Sequence, residues 1–359
     1  MDRFILVINP GSTSTKFAIY NNEVQVLEEK LTHDIDELAK YKTIIDQLDF
    51  RKDLILSKLE EMKFDLYKLS AICGRGGLLK PIPSGTYTVN EAMLDDLKNL
   101  KYGQHASNLG ALIANIIAKQ LNIPSFIVDP VTVDEYEDIA RISGMPMIER
   151  VSIFHALNQK AIARLVAKDQ NKKYEDMKLL IVHMGGGISI GAHYQGRVID
   201  VNSALDGDGP MTPERSGSVP IGPLTKLCFS NKYTYEELRN LNYGRGGLSA
   251  YLKTNDARVI AKRIKDGDTY AKSIFDAMIY QIAKEIGAYA TVLKGKVDFI
   301  VLTGGLAHQN YLVNELTSRV NFIAPILVYP GEDELLALAQ GALRVITGEE
   351  EAKNYGAVK

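Results

Sequence analysis

Two stretches of the chain share one pattern: a short apolar run, a turn of small residues, and a second run in which apolar and polar residues alternate. The first covers residues 5–20 (ILVINPGSTSTKFAIY) and the second residues 179–201 (LLIVHMGGGISIGAHYQGRVIDV). Short runs of this kind are typical of strands, and Gly and Ser between them favour a tight turn. Each stretch therefore predicts a β-hairpin whose small turn residues let backbone amides approach a phosphate.

Further units repeat in the same order in the two halves of the chain. A buried strand that runs into a glycine turn is predicted at residues 69–77 and again at 297–306. A strand, a proline-containing turn and an acidic helix start follow at residues 125–140 and again at 325–342. Between these units, residues 106–121, 152–168 and 271–293 carry apolar positions at helical spacing. The pattern predicts an α/β protein of two duplicated lobes, each a mixed sheet flanked by helices.

This duplication predicts where the domains and the ligand site lie. We expect an N-terminal lobe over residues 1–149 and a C-terminal lobe over residues 150–334, with a final helix at 335–359 that packs back on the first lobe. Ligands in open α/β sheets bind outside the strand ends. We therefore expect a nucleotide in a central cleft that receives the turns of both lobes.

Composition narrows the class of partner. The 359 residues include 42 basic and 44 acidic side chains, for a net charge of -2, which gives no reason to expect a nucleic-acid partner. No apolar stretch is long enough to cross a bilayer, so no membrane partner is expected. The two cysteines, Cys73 and Cys228, lie in unrelated contexts. We expect both to be buried free thiols and the protein to be cytoplasmic.

The first turn carries an unusual number of polar donors. The segment NPGSTSTK, residues 9–16, offers hydroxyls at Ser12, Thr13, Ser14 and Thr15, with Lys16 at its end. Such a turn can donate amides and hydroxyls to a phosphate, and Asn9 can reach a phosphate oxygen or a metal-bound water. The alternative is an ordinary hairpin with a polar tip.

The second turn contains Gly185, Gly186 and Gly187. A dinucleotide-binding fingerprint requires such glycines to open a helix, whereas ISIGAHY alternates as a strand does. The glycines instead suggest a nest of amides for a polyphosphate, and the alternative is a plain tight turn.

Charged residues recur at strand ends and in one long loop. Arg75 ends a strand in a glycine turn, and Asp129 ends the next strand in FIVDP. Arg215 lies in the irregular loop at residues 206–223, and loops of this kind are often functional. An arginine fork suits phosphate and carboxylate, but a surface arginine paired with a neighbouring acid is an alternative for Arg215. For Asp129, a metal-bound water, an arginine and a buried structural ion pair all stay open.

Histidines and acids complete the candidates. His155 begins a helix and can donate to a developing charge, or it can be a packing residue, while His105 in YGQHASN is a weaker candidate. The six histidines show no metal-ligand spacing. Glu332, Asp333 and Glu334 are predicted in a first helical turn, where helix capping explains them as well as magnesium does. The glycines of TGGLAH, residues 303–308, would let a flat base lie against the backbone.

In this order, the motifs resemble the acetate and butyrate kinase family, within the superfamily of sugar kinases, chaperone ATPases and actin. The likeness covers residues 4–346, and it is carried by segments that resemble the butyrate branch in particular: NPGSTSTK, GRGGLLKPIP, GQHASNLGA, SIFHALNQKA, HMGGGISIG, DGDGPMTPERSG and TGGLAH. The resemblance implies ribonuclease-H-like lobes. It also implies reversible transfer of a phosphoryl group from ATP to a short-chain fatty acid, with Mg²⁺, giving an acyl phosphate and ADP. Homodimers or larger homo-oligomers are implied as well.

The resemblance also implies roles for matching positions. Nucleotide phosphates would contact residues of both turns: Asn9, Ser12, Ser14, Lys16, His183, Gly185, Gly186 and Gly187. Gly304 and Gly305 would border adenosine. Arg75 and Arg215 would bind the carboxylate and the transferring phosphoryl group, His155 would stabilise the transition state, and His105 would lie beside the site. Asn9, Asp129 and Glu334 would be associated with magnesium, with Glu332 as an alternative to Glu334.

Two departures from the acetate kinase pattern bear on the substrate. The stretch from Asp206 to Arg215 is shorter, and GRGG replaces a longer histidine-bearing turn around Arg75. Phe154 and Pro213 match apolar positions near the acyl group, so a shortened loop would enlarge that pocket and favour butyrate or a branched relative. The alternatives are an acetate or propionate kinase, a sugar kinase, and a chaperone-type ATPase or filament subunit.

Overall fold

The computed structural model describes residues 1–205 and 207–356. By their internal contacts, these residues form two compact units. The first unit contains Met1–Val133 and the segment from Asp333 onward, and the second contains Asp134–Glu332. The domain limits of 149/150 and 334/335 stay predictions.

The first unit is built on a seven-stranded mixed sheet with the order β12-β5-β6-β4-β1-β2-β3. Strands are numbered along the chain, and those of this sheet are β1 (Phe4–Pro10), β2 (Ser14–Asn21), β3 (Val24–Thr32), β4 (Leu69–Arg75), β5 (Thr86–Thr88), β6 (Ser125–Val128) and β12 (Lys353–Asn354). Its helices are α1 (Ile35–Leu38), α2 (Leu48–Glu61), α3 (Glu91–Lys98), α4 (Asn108–Leu121) and α13 (Glu334–Ile346), with 3-10 turns at Ile45–Gln47 and Leu66–Lys68.

The second unit is built on a five-stranded mixed sheet with the order β11-β10-β7-β8-β9. Its strands are β7 (Lys178–Met184), β8 (Ile188–Tyr194), β9 (Arg197–Val201), β10 (Phe299–Gly304) and β11 (Ile326–Pro330). Its helices are α5 (Asp138–Arg141), α6 (Ala156–Asp169), α7 (Ile221–Cys228), α8 (Tyr235–Asn242), α9 (Gly247–Leu252), α10 (Ala257–Lys265), α11 (Thr269–Val292) and α12 (Asn310–Val320), with 3-10 turns at Tyr174–Asp176 and Gly305–His308.

Close helix–sheet packing in the first unit depends on small residues. A Cβ built on Gly110 of α4 would lie 2.4 Å from the carbonyl oxygen of Arg75, and one on Gly74 of β4 would lie 2.1 Å from the carbonyl oxygen of Gly110. Helix α13 approaches β6 in the same way, because a Cβ on Gly341 would lie 2.3 Å from Val128. These glycines let α4 and α13 lie directly on the sheet and set the position of Arg75.

The predicted architecture is confirmed: each unit has a mixed sheet flanked by helices. Both predicted hairpins form, as the antiparallel pairs β1–β2 and β7–β8. The final helix is shorter than predicted, since α13 ends at Ile346. The last residues of that prediction, 357–359, lie outside the described residues. The prediction of two buried thiols is wrong for Cys228, which is exposed, whereas Cys73 is buried. Across residues 1–205 and 207–356, no helix combines the length and apolarity needed to span a bilayer.

Candidate active site

Three parallel strands of the first sheet end at one edge and carry predicted site residues there. Strands β1, β4 and β6 are neighbours that run in the same direction. Asn9 lies at the end of β1, Arg75 is the last residue of β4, and Asp129 follows β6 directly. Because carboxyl ends of parallel strands meet at one edge, the fold places three sequence-distant polar residues side by side.

Asn9, Arg75 and Glu334 form one polar cluster at this edge. Asn9 Nδ2 donates to Glu334 Oε2 at 2.8 Å, and Arg75 Nη1 donates both to the same carboxylate oxygen and to Asn9 Oδ1 at 3.4 Å. The Arg75 and Glu334 side chains are only 22% and 21% exposed, so their ion pair is shielded from bulk water more than a surface pair is.

The acids at the start of α13 divide into different roles. Asp333 is the N-cap, and its side chain accepts from the amide of Leu336 at 2.9 Å. Capping therefore accounts for Asp333, whereas the Glu334 carboxylate meets Arg75 and Asn9. Glu332 belongs to the second unit, where its Oε2 lies 3.8 Å from His183 Nε2.

Asp129 is held in an uncommon backbone conformation. It is 2% exposed and has a positive φ of 38°. Its Oδ1 accepts from Ser84 Oγ at 2.6 Å and from the amide of Gly85 at 2.7 Å. Charge-assisted hydrogen bonds of this kind offset the cost of burying a carboxylate.

The β1–β2 turn presents some of its predicted donors outward and buries others. Ser12, Thr13 and Lys16 are exposed, Ser14 is half-buried and Thr15 is buried. Beneath the turn, Thr15 Oγ1 contacts His33 Nε2 at 2.8 Å and the guanidinium of Arg51 at 3.1 Å. Sequence reasoning missed both His33 and Arg51, because neither lies near the turn along the chain.

His105 is exposed to solvent, but its ring is partly desolvated by surrounding protein atoms and lies close to the arginine of this cluster. Its Nδ1 contacts Ser107 Oγ at 2.8 Å. Burial lowers the pKa of His105, and the positive charge of Arg75 lowers that pKa further. The neutral form of the imidazole is therefore favoured, which suits a hydrogen-bonding group beside the site better than a cation.

In the second unit, the glycine turn joins β7 to β8. Because Gly185–Gly187 leads into a strand, the rejection of a dinucleotide-binding fingerprint is confirmed. The amide of Gly185 donates to the carbonyl of Gly187 at 2.9 Å, which closes the turn tightly. His183, the penultimate residue of β7, is 1% exposed beneath it.

His155 and His183 stack against each other with ring centroids 3.9 Å apart and planes 18° apart. Each ring is also held by a hydrogen bond at its Nδ1: His155 Nδ1 pairs with Ser189 Oγ at 2.9 Å, and His183 Nδ1 donates to Asn158 Oδ1 at 2.7 Å. Since an amide oxygen only accepts, His183 Nδ1 carries the proton of that bond. His155 is the N-cap residue of α6, so the prediction that it begins a helix is confirmed. Sequence reasoning missed the partners of both rings, Ser189 for His155 and Asn158 for His183.

Arg215 lies against the glycine turn. Its Nη1 donates to the carbonyl of Ala204, and its guanidinium lies 5.4 Å from the ring centroid of Tyr243. A Cβ built on Gly187 would fall 1.9 Å from Nη1, so only glycine admits the guanidinium at this position. Thr212 Oγ1 ties the loop to the turn by donating to the carbonyl of Gly186 at 2.7 Å. Asp206, at the start of this loop, lies outside the described residues.

The remaining candidates of the second unit lie at strand ends or in its interior. Gly304 ends β10 with φ of 86°, and a Cβ there would lie 2.5 Å from the carbonyl oxygen of Met184. Gly305 is exposed, and a Cβ built there meets no atom within 4 Å. Phe154 and Pro213 are both buried.

The candidate magnesium ligands of this site are side-chain oxygens. No group of three or more His, Cys, Asp or Glu able to hold a metal ion occurs in the described parts of the chain. Mg²⁺ commonly takes only one or two carboxylates and completes its shell with waters and substrate phosphates. Asn9 and Glu334 supply oxygen donors of the right kind beside the phosphate-type turn, so these residues fit a nucleotide-bound magnesium ion.

Comparison with known proteins identifies the class. The acetokinase family model matches residues 147–343. Butyrate kinase 1 of Clostridium acetobutylicum is 57% identical over 351 residues, covering 98% of this chain and 99% of the relative. A probable butyrate kinase of Clostridium botulinum is also 57% identical with the same coverage. The chain therefore belongs to the acetokinase family.

Solved structures confirm the fold. Acetate kinase of Porphyromonas gingivalis aligns with a TM-score of 0.77 at 19% identity, over 96% of this chain and 100% of that structure. A propionate kinase of Francisella tularensis aligns with a TM-score of 0.73 at 19% identity, over 94% and 98% of the two chains.

Proposed function

We propose that this protein is a butyrate kinase. It would transfer the γ-phosphoryl group of ATP reversibly to butyrate or a branched short-chain fatty acid, giving an acyl phosphate and ADP. The proposal is supported by relatives of nearly equal length that are named butyrate kinases. The structural observation that supports it most is Arg75, whose guanidinium already holds a carboxylate at the carboxyl edge of the first sheet.

The proposed reaction needs few chemical groups. A fatty acid is ionised near neutral pH, so its carboxylate oxygen can attack the γ-phosphorus without a general base. The new O–P bond forms as the bond from the γ-phosphorus to the β,γ-bridging oxygen breaks, and ADP leaves with that electron pair. Phosphoryl transfer chiefly requires alignment and neutralisation of charge on the equatorial oxygens. Positioned arginines and hydrogen-bond donors are the groups that this chemistry needs.

We assign the binding of the acid to Arg75, with His105 beside it and Phe154 and Pro213 near the acyl chain. The Arg75 fork can donate two parallel hydrogen bonds to a carboxylate. In this assignment the incoming acid competes with Glu334 for the guanidinium. Arg215 neutralises the transferring phosphoryl group, and His155, whose ring is fixed by Ser189 and by the His183 stack, donates to the same group.

We assign the nucleotide to the two turns. Amides and hydroxyls of residues 9–16, with Lys16, and the turn of Gly185, Gly186 and Gly187 with His183 bind the phosphate chain, while Gly304 and Gly305 border adenosine. Asn9, Asp129 and Glu334 would hold Mg²⁺, directly or through waters. When bound, the ion supplies neutralisation of phosphate charge. We further propose that the enzyme acts in the cytoplasm, as a homodimer or larger homo-oligomer.

Acyl-hydroxamate trapping across acetate, propionate, butyrate, isobutyrate and valerate tests the activity. We expect the highest kcat/KM for butyrate or isobutyrate, and ADP release with these acids but not with glycerol or hexoses. The highest kcat/KM with acetate would replace the proposal by an acetate kinase. ATP hydrolysis indifferent to every acid would indicate a chaperone-type or filament ATPase instead.

Arg215→Ala separates binding from chemistry. We expect turnover to be lost while the denaturation midpoint and the ATP dissociation constant stay close to those of the wild type. Lys226→Ala, on exposed helix α7 of the same unit, is the matched control for loss of one positive charge. Near-normal turnover of Arg215→Ala would remove Arg215 from the mechanism.

A further inference from the structure

Arg51 is a fully buried cation that holds the first phosphate-type turn from below. It lies on α2, is 0% exposed, and is distant in sequence from residues 11–15. Its Nη1 donates to the carbonyl oxygens of Gly11 at 2.7 Å and Ser14 at 3.2 Å, and to Thr15 Oγ1 at 3.1 Å. Its Nη2 donates to the carbonyl oxygen of Ser12 at 3.0 Å. One guanidinium therefore fixes most of the turn.

This anchoring determines which way the turn amides point. In a trans peptide, the carbonyl of one residue and the amide of the next point in opposite directions, and no cis peptide occurs in the described residues. The carbonyls of Gly11 and Ser12 face Arg51 in the interior. The amides of Ser12 and Thr13 must therefore face away from it, on the side where both residues are exposed.

The charge of Arg51 is not neutralised by an acid. Its remaining hydrogen bonds, from Nε at 3.0 Å and Nη2 at 2.8 Å, go to the neutral amide oxygen of Gln47. Within residues 1–205 and 207–356, no carboxylate forms an ion pair with it, and burial alone lowers its pKa to about 10, which leaves it protonated at neutral pH. Buried cations are normally paired. An unpaired one directly under a turn generates a positive potential at that turn.

We propose that Arg51 is the positioning residue of the first phosphate loop. It holds the residue 11–15 turn with the amides of Ser12 and Thr13 outward, and its buried charge favours the anionic phosphate chain of a nucleotide there. The inference rests on the proposed function, in which this turn binds polyphosphate. Arg51 acts through the turn and its potential.

Gln47 offers a test that leaves Arg51 in place. Gln47→Glu keeps the shape and the acceptor oxygen but puts a negative charge beside the guanidinium, whereas Gln47→Met removes the acceptor without adding charge. Lys52→Gln, beside Arg51 on α2, removes a positive charge whose ammonium group lies 2.7 Å from Asp49 Oδ1. The three variants distinguish an added negative charge beside Arg51, the loss of the hydrogen-bond acceptor of Gln47, and the loss of another positive charge on α2.

We expect Gln47→Glu to raise both the KM for ATP and the ATP dissociation constant about tenfold, the size of a unit charge acting over ~10 Å at an effective dielectric constant of ~20. The kcat and the thermal midpoint should change little. Gln47→Met should change ATP binding less than threefold, and Lys52→Gln not at all. If Arg51 had a purely structural role, Gln47→Glu would shift the thermal midpoint while its KM for ATP and its ATP dissociation constant stayed at the wild-type values. That result would overturn the inference.

Arg51→Lys gives a second measurement. It keeps the charge but has too few donors for the four contacts with the turn, so we expect kcat to fall along with weaker ATP binding. Wild-type kcat and ATP affinity in Arg51→Lys would contradict the positioning role. Failure of the wild type to bind ATP or phosphorylate any acid would instead contradict the proposed function, so the two failures are distinguishable.

Discussion

Gly110→Ala tests whether close packing of α4 on β4 holds Arg75 in place. A Cβ at Gly110 would lie 2.4 Å from the Arg75 carbonyl oxygen, 2.8 Å from its amide nitrogen and 3.2 Å from its carbonyl carbon. All three atoms belong to the backbone of β4, which is paired with β1 on one side and β6 on the other. The strand cannot yield without disturbing its neighbours, so the helix must move away.

The size of the effect follows from two opposing terms. Replacing a glycine inside a helix by alanine stabilises by about 1 kcal/mol, while forcing an extra methyl group into a packed interior costs ~1–3 kcal/mol or more. Because the contact is with backbone, we expect the upper part of that range and a net loss of about 2 kcal/mol. Gly287→Ala on α11 is the matched control, because a Cβ there meets nothing within 4 Å, and it should gain about 1 kcal/mol.

Thermal unfolding of both variants provides the measurement, with kcat/KM for butyrate measured well below the midpoint. For a unit of this size, 1 kcal/mol shifts the midpoint by roughly 2–4 °C. We expect Gly110→Ala to unfold earlier and to lose kcat/KM even where it is folded, because Arg75 is displaced. A Gly110→Ala protein as stable as Gly287→Ala would refute the argument that these glycines position the arginine.

Three further predictions concern single side chains. In Gly187→Ala the new methyl group occupies the place of Arg215 Nη1. We expect kcat/KM to fall more than in Gly186→Ala, where the atoms nearest the new methyl group belong to the end of the Glu214 side chain, at 3.1–3.5 Å. Asp129→Asn, which tolerates positive φ and keeps an acceptor for Ser84 and Gly85, should retain the midpoint but lose turnover, whereas Asp129→Ala should lose both. Burial and the charge of Arg51 lower the pKa of His33 from 6.5 to about 4. As the pH decreases from 6.5 towards 4, the unfolded chain protonates this imidazole and the folded chain does not, so the free energy of unfolding decreases. By pH 5 the loss is about 2 kcal/mol, and urea midpoints at pH 7 and 5 should show it in the wild type but not in His33→Gln.

The sequence could predict the parts of this fold that depend on local pattern. An apolar run, a turn of small residues and an alternating run predicted both hairpins, and helical spacing over residues 106–121 predicted α4 at Asn108–Leu121. The positions of Arg75 and Asp129 at strand ends could also be predicted, because an apolar run that stops at a charged residue marks a strand end. Because β1, β4 and β6 pair in parallel, their carboxyl ends then lie together at one edge of the sheet.

What could not be predicted depends on contacts between distant segments. Arg51 stands in FRKDLILSKL, where charges look like those of any exposed helix face, and only the fold turns it under residues 11–15. The sequence favoured Glu334 but left Glu332 as an alternative, and the chain passes from the second unit to the first between them. One acid therefore lies near His183 and the other contacts Arg75.

The two units stabilise their candidate site residues by different physical means. In the first unit the cluster is ionic: Arg75 with Glu334, and a buried Arg51 beneath the turn. In the second unit the imidazoles are held by amides and hydroxyls, namely Asn158, Ser189 and Gln159, which donates to Ser189 Oγ at 2.8 Å. Ionic clusters can exchange one anion for another, so the first arrangement suits a group that must bind and release charged reactants. Buried neutral hydrogen bonds fix geometry and are costly to break, so the second arrangement suits groups that must keep one orientation throughout turnover.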